Sequence, residues 1–139
     1  MFSECLYNMY REYIVDNLRE ANIDIYKKYV LYPKGEISEI VTDVLHKEYG
    51  IYPEFYLDNY KYDGNSVLNF EQLKLRIDDK TYYLICSDRA DIFNEIRNNL
   101  EKYVNKKHII DLFSKKIDKD FSKEVADILN MIDKTIEVL

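Results

Sequence analysis

The sequence predicts a single α+β domain, residues 1–139, in which a small, mainly antiparallel sheet of three to four strands packs against about five helices. Three observations support this fold class. Apolar residues recur every three or four positions in several segments, and they alternate with polar residues in others. No Pro-, Gly- or Ser-rich linker divides the chain, and its 47% hydrophobic and 33% charged residues are typical of a globular protein.

The first part of the chain is predicted to be helix, strand and helix. Residues 3–21 carry an apolar stripe at helical spacing, and Ser3 is placed to cap its first free N–H groups. The aromatic and β-branched run Tyr26–Tyr32 predicts a strand, with a continuation of the first helix as the alternative. Residues 37–49 form a second helical stripe that ends at Gly50, where a left-handed cap residue is expected.

The middle of the chain is predicted to be β-structure. Residues 54–62 predict a strand that places alternate side chains on the same face. Residues 73–77 and 81–86 alternate in the same way on either side of Asp78-Asp79-Lys80, which predicts a β-hairpin. We find no crossover from a strand through a glycine loop to a helix, the unit that is typical of nucleotide-binding folds.

The last part of the chain is predicted to be helical. One helix starts at Ser87 or Asp88 and runs to Tyr103, and a shorter one, capped by Asn105, runs to Ile117. A final helix is expected from Val125 to Leu139 because its apolar stripe is nearly complete.

Composition argues against several classes of function. The net charge is −6, with twelve acidic and seven basic side chains in residues 1–64. We therefore expect no direct nucleic-acid binding, which needs a basic surface. The two cysteines lack metal-ligand spacing, and no cofactor or catalytic motif is present. Without a long apolar run or a signal peptide, the sequence predicts a cytoplasmic protein with no membrane association.

The best candidate site is a cluster of tyrosines and carboxylates. Eight of the fourteen tyrosines lie between Tyr26 and Tyr62. Tyrosine offers a large apolar face and a hydroxyl at low entropic cost, so exposed tyrosines are typical of protein-binding surfaces. The predicted partner-binding residues are Tyr52, Glu54, Tyr56, Asp58, Tyr60, Tyr62 and Asp63. The alternative is an ordinary sheet edge with half-buried tyrosines.

This candidate site predicts a small inhibitor that docks on a basic protein surface, including that of a nucleic-acid-binding protein. Toxin-neutralising immunity proteins and phage or viral inhibitors of host defence act in this manner. Two other functions stay open. One is a metal-dependent nuclease that uses Asp78 and Lys80 with Asp58 or Asp63. The other is a self-assembling accessory or structural subunit, in which the C-terminal helix forms a homodimer.

Overall fold

The computed structural model describes residues 3–113, except for the side chains of residues 90–93. Within this range the chain forms four α-helices and five β-strands. The helices are α1 (Glu4–Glu20), α2 (Glu36–Val44), α3 (Phe70–Leu73) and α4 (Ala90–Glu101). The strands are β1 (Lys28–Tyr32), β2 (Phe55–Leu57), β3 (Val67–Leu68), β4 (Thr81–Ile85) and β5 (Ile109–Asp111). A π-helical turn, Leu45–Tyr49, extends α2, and a 3-10 turn, Lys106–His108, precedes β5.

The five strands form one sheet in the order β3-β2-β1-β4-β5, and every pairing is parallel. The prediction of a mainly antiparallel sheet of three to four strands with about five helices is therefore wrong. Parallel neighbours need a crossover connection. The segment that contains α2 supplies the crossover between β1 and β2, and the segment that contains α4 supplies the one between β4 and β5.

The predicted hairpin is the clearest error. Leu73 ends α3 and is buried, whereas the side chains of Leu75 and Ile77 are 90% and 44% exposed. Residues 73–77 therefore alternate in sequence without forming a strand. The strand that precedes β4 along the chain is β3, which lies three positions away from β4 in the sheet. We also expected no crossover from a strand through a glycine-containing loop to a helix. The structure has one, because β1 is followed by Pro33-Lys34-Gly35 and then by α2.

Two other elements differ from their predictions. The strand predicted over residues 54–62 ends at Leu57, and residues 58–66 form a loop. Asn105 accepts a hydrogen bond from the Lys107 amide, as a cap should, but the helix predicted after it is the 3-10 turn followed by β5. The predicted C-terminal helix lies outside the described residues.

Two predicted helix ends are confirmed, at Ser3 and at Gly50, whereas α4 begins at Ala90 with Arg89 as its cap, and not with Ser87 or Asp88 as predicted. The Ser3 hydroxyl accepts a hydrogen bond from the Leu6 amide at 3.2 Å and caps α1. Gly50 adopts a left-handed conformation, with φ of 69°, directly after the π-helical turn. Both signals depend on neighbouring residues alone, so the sequence is sufficient to predict them.

Helices cover both faces of the sheet. Alternate side chains of β1 point to opposite sides: Leu31 packs with α1 and α2, and Val30 packs with α3 and α4. Both side chains are fully buried. Tyr29 to Tyr32 therefore form a continuous buried run, which is typical of the centre of a parallel sheet.

Candidate protein-binding surface

Two of the predicted tyrosines lie on the loop between β2 and β3, residues 58–66, which we call the tyrosine loop. The Tyr60 side chain is 95% exposed and that of Tyr62 is 52% exposed. Since the loop is not a strand, its side chains do not alternate between two faces. Because it is almost fully exposed, the Tyr60 ring is available to a partner.

Two aspartates hold the tyrosine loop in its conformation. Asp58 Oδ1 accepts hydrogen bonds from the Tyr60 and Lys61 amides at 2.8 and 3.1 Å. Asp63 Oδ1 accepts from the amides of Asn65, Ser66 and Val67 at 2.8 to 2.9 Å, and Oδ2 accepts from the Ser66 hydroxyl at 2.9 Å. These bonds fix the backbone on either side of both tyrosines. A loop that is ordered before binding loses less entropy when it binds.

The predicted acidic rim is only partly present. Asp58 is 6% exposed, so its carboxylate cannot contact a partner directly. Asp63 is exposed, and its pKa falls to about 2, chiefly because the Val67 amide and then the Asn65 amide stabilise the ionised form. Asp63 is therefore charged at neutral pH. The tyrosine loop itself contains two carboxylates, Asp58 and Asp63, and one lysine, Lys61, so its net charge is −1.

The other predicted tyrosines do not join this loop. Tyr52 and Glu54 are both exposed and precede β2, at the opposite end of that strand from Tyr60. The Tyr52 ring stacks on His46, with ring centroids 4.5 Å apart. The Tyr56 hydroxyl lies 2.7 Å from Thr42 Oγ1 and its ring lies 4.0 Å below Lys34 Nζ, so Tyr56 packs against α2. The seven predicted residues thus do not form one face.

The carboxylates of the nuclease hypothesis are not brought together. Asp78 precedes β4 and Asp58 follows β2, so they lie at opposite edges of the parallel sheet. Asp63 lies near the start of β3, three strands from β4, a lateral distance of about 14 Å at the usual strand spacing. In residues 3–113, no group of three or more His, Cys, Asp or Glu side chains is arranged to hold a metal ion.

Asp78 has a structural role in the turn. Its Oδ1 accepts hydrogen bonds from the Thr81 hydroxyl at 2.7 Å and from the Lys80 amide at 2.9 Å. The Thr81 hydroxyl is the main cause of the lowered pKa of Asp78. Asp78-Asp79-Lys80 is a turn, as predicted, although it leads into a parallel strand.

The carboxyl edge of the sheet is the other place where a site is expected. In open parallel sheets, ligands bind where the chain order reverses, which here is between β1 and β4. The strand order of this sheet, 3-2-1-4-5, also occurs in dinucleotide-binding folds, which place glycines in the loop between the first strand and the following helix. In this chain the positions of the three glycines are taken by Pro33 and Gly35 in the loop and by Ser38 in the first turn of α2.

The residues at this edge do not suit a pyrophosphate. Pro33 has no N–H group, and the Gly35 amide already donates to Ser38 Oγ at 2.9 Å. Glu36 and Glu39 lie in the first turn of α2, where their carboxylates would repel phosphate. Asp58 occupies the position of the ribose-binding carboxylate, but its Oδ1 bonds the amides of the tyrosine loop. The topology is therefore not accompanied by the chemistry of a dinucleotide site.

One group of exposed residues was not predicted from the sequence. Ile25, Tyr26, Leu75 and Ile77 precede β1 and β4, and their side chains are between 44% and 90% exposed. The hairpin prediction had placed Leu75 and Ile77 on a buried face. Their position between charged residues, Lys74, Arg76 and Asp78, is a signal for exposure, but it is equally typical of a strand with one polar face.

No helix in residues 3–113 is both long and apolar enough to cross a membrane. The chain matches no family model, and neither a curated protein nor a solved structure shows significant similarity to it.

Proposed function

We propose that this protein binds another protein through the tyrosine loop and acts as a stoichiometric inhibitor that occludes its partner. Toxin-neutralising immunity proteins and phage or viral inhibitors of host defence work in this way. The observation that carries the proposal is the 95% exposure of Tyr60 on a loop held by six hydrogen bonds to Asp58 and Asp63.

The chemistry of the loop favours a basic partner. The ionised and exposed Asp63 lies on the same loop as the two tyrosines, and Lys61 is the single basic residue of positions 58–66. Complementary charge raises the association rate, and a buried aromatic anchor supplies most of the affinity. We place the protein in the cytoplasm, where the basic surface of a nucleic-acid-binding protein is one partner that fits.

The test starts with a photo-crosslinking amino acid at position 60 in cells of the source. The adduct identifies the partner, and calorimetry with the purified partner gives Kd and stoichiometry. We expect one-to-one binding, and Tyr60→Ala should weaken it at least tenfold because truncation of a buried aromatic anchor typically has effects of this size. The partner should lose its activity at a one-to-one ratio.

Tyr26→Ala is the matched control, because the Tyr26 ring is 90% exposed but precedes β1, at the other edge of the sheet. It should leave Kd unchanged. An equal loss of affinity in both variants would contradict a role for the tyrosine loop. So would full affinity in a folded Tyr60→Ala, Tyr62→Ala double variant.

A further inference from the structure

A second surface lies at the amino edge of the sheet. Residues 24–27 with Lys28, the first residue of β1, lie at the start of β1, and residues 75–80 and 105–108 immediately precede β4 and β5; the three strands are neighbours in the sheet. Because the strands are parallel, these three segments meet at one edge. The Lys28 amide donates to the Lys80 carbonyl at 3.3 Å, and His108 Nδ1 donates to the Thr81 carbonyl at 2.9 Å. We call these segments the amino-edge surface.

The amino-edge surface exposes apolar side chains. Seven large apolar side chains are exposed in the described part of the chain, and four of them lie here. Leu75 and Tyr26 are each 90% exposed, Ile25 is 50% exposed and Ile77 is 44% exposed. Three of the four are aliphatic. Such side chains gain free energy only when they leave water.

The same surface is basic in an acidic protein. Its three segments contain six basic and three acidic side chains, a net charge of +3, whereas the whole chain has a net charge of −6. Asp24 Oδ1 and Asp78 Oδ1 accept hydrogen bonds from the Tyr26 and Lys80 amides, so both carboxylates shape their own turns. The basic residues are Lys27, Lys28, Arg76, Lys80, Lys106 and Lys107, all exposed.

We propose that the amino-edge surface binds the anionic surface of a phospholipid membrane, with Leu75 and Ile77 inserted among the lipids and the basic residues against the headgroups. Aliphatic tips surrounded by lysine and arginine are typical of proteins that lie on a membrane. A nucleic acid would satisfy the charge, but aliphatic side chains have no face on which bases stack. Peripheral binding of this kind does not need the long apolar run whose lack in the sequence led us to expect no membrane association.

This interaction is independent of the tyrosine loop. Tyr60 lies on the connection from β2 to β3, at the far side of the sheet from β5. The protein could therefore hold a partner and a membrane at the same time. Failure of one proposal leaves the other intact.

The test is flotation of the full chain with vesicles of phosphatidylcholine alone and with vesicles that also contain phosphatidylserine. We expect binding only to the anionic vesicles, and weaker binding at higher salt. An Arg76→Glu, Lys80→Glu variant should lose at least about fivefold in the partition coefficient for each residue changed. A Leu75→Ser, Ile77→Ser variant should lose about tenfold or more, since its aliphatic groups no longer enter the lipid.

Tyr60→Ala with Tyr62→Ala is the control and should bind vesicles as the wild type does. Thermal unfolding checks that each variant is folded, which we expect because all the substituted side chains are exposed. The proposal is overturned if the wild type stays in solution with anionic vesicles. It is also overturned if Leu75→Ser, Ile77→Ser binds them like the wild type, or if single-stranded DNA binds the wild type more tightly than the vesicles do.

Discussion

At the scale of single residues, four aspartates perform the same task in different turns. Asp24, Asp58, Asp63 and Asp78 each accept a hydrogen bond from the amide two residues later, at 2.8 to 2.9 Å. This bond mimics a backbone turn and is characteristic of aspartate. Three of these residues had been considered as rim or metal-ligating carboxylates. Their oxygens instead determine where the chain changes direction.

The stability of the tyrosine loop depends on pH through Asp63. Its pKa of about 2 lies below the ordinary value of 3.8, so ionised Asp63 stabilises the folded state at neutral pH. That contribution is complete above about pH 4 and is lost as the pH falls towards 2. We expect Asp63→Asn to speed hydrogen exchange at the amides of residues 65–67 at pH 7. The difference in exchange rate between this variant and the wild type should become smaller as the pH falls towards about 2.

NMR titration of the Asp63 carboxyl carbon measures the pKa directly. For the hydrogen-exchange comparison, Asp79→Asn is the control variant, because Asp79 is also an exposed aspartate in a turn. A midpoint near 4 for Asp63, or unchanged exchange in Asp63→Asn, would contradict the assigned hydrogen bonds.

At the scale of elements, β1 and β4 form the centre of the molecule. All five residues of β1 pair with residues of β4, and β2 pairs with the other side of β1. The side chains of Leu31 and Leu84 lie side by side, and both are fully buried. Since helices cover both faces of the sheet, the buried positions Tyr29–Tyr32 and Tyr83–Ile85 of these strands depend on apolar contacts on either side.

Leu31→Ala tests this arrangement. It should lower the free energy of unfolding by about 3 kcal/mol, because it removes buried methyl groups and leaves a cavity at the centre of the sheet. Leu75→Ala makes the same chemical change at a side chain that is 90% exposed, and should alter stability by less than about 0.5 kcal/mol. Chemical denaturation measures both. Similar losses in the two variants would mean that the buried and exposed assignments are wrong.

At the scale of the whole molecule, the fold separates charges that the sequence interleaves. The acidic tyrosine loop lies at the β2–β3 side of the sheet, and the basic amino-edge surface lies along the starts of β1, β4 and β5. The carboxyl edge between β1 and β4 has the topology of a dinucleotide-binding fold without its phosphate-binding loop. The proposed partner and membrane interactions use other parts of the surface.

The residues at the carboxyl edge predict that dinucleotides do not bind there. NAD or ADP at millimolar concentration should leave Tm unchanged, because Ser38 occupies the Gly35 amide and the first turn of α2 carries Glu36 and Glu39. Inorganic phosphate is the control for unspecific effects of anions. A saturable rise in Tm with either nucleotide, without a similar rise with phosphate, would show that the loop does bind one.

The sequence by itself determined the features that depend on near neighbours. The helices over residues 4–20 and 36–49, their ends at Ser3 and Gly50, the central strands and the turn at Asp78 all follow from local periodicity and hydrogen bonding. It also determined that Tyr60 and Tyr62 lie close together in the chain. It did not determine the direction of strand pairing, because the same apolar run can pair either way.

The tertiary structure decided the rest. The continuous apolar run Tyr29–Tyr32 is typical of a parallel sheet, but it does not by itself identify one. The structure shows helices on both faces of the sheet, which explains why all four residues are apolar. Leu75 and Ile77 match a strand pattern, yet they are exposed because they lie in the connection from α3 to β4 and not in the sheet. Exposure depends on what packs against a residue. The tyrosine loop and the amino-edge surface therefore exist as surfaces only in the folded chain.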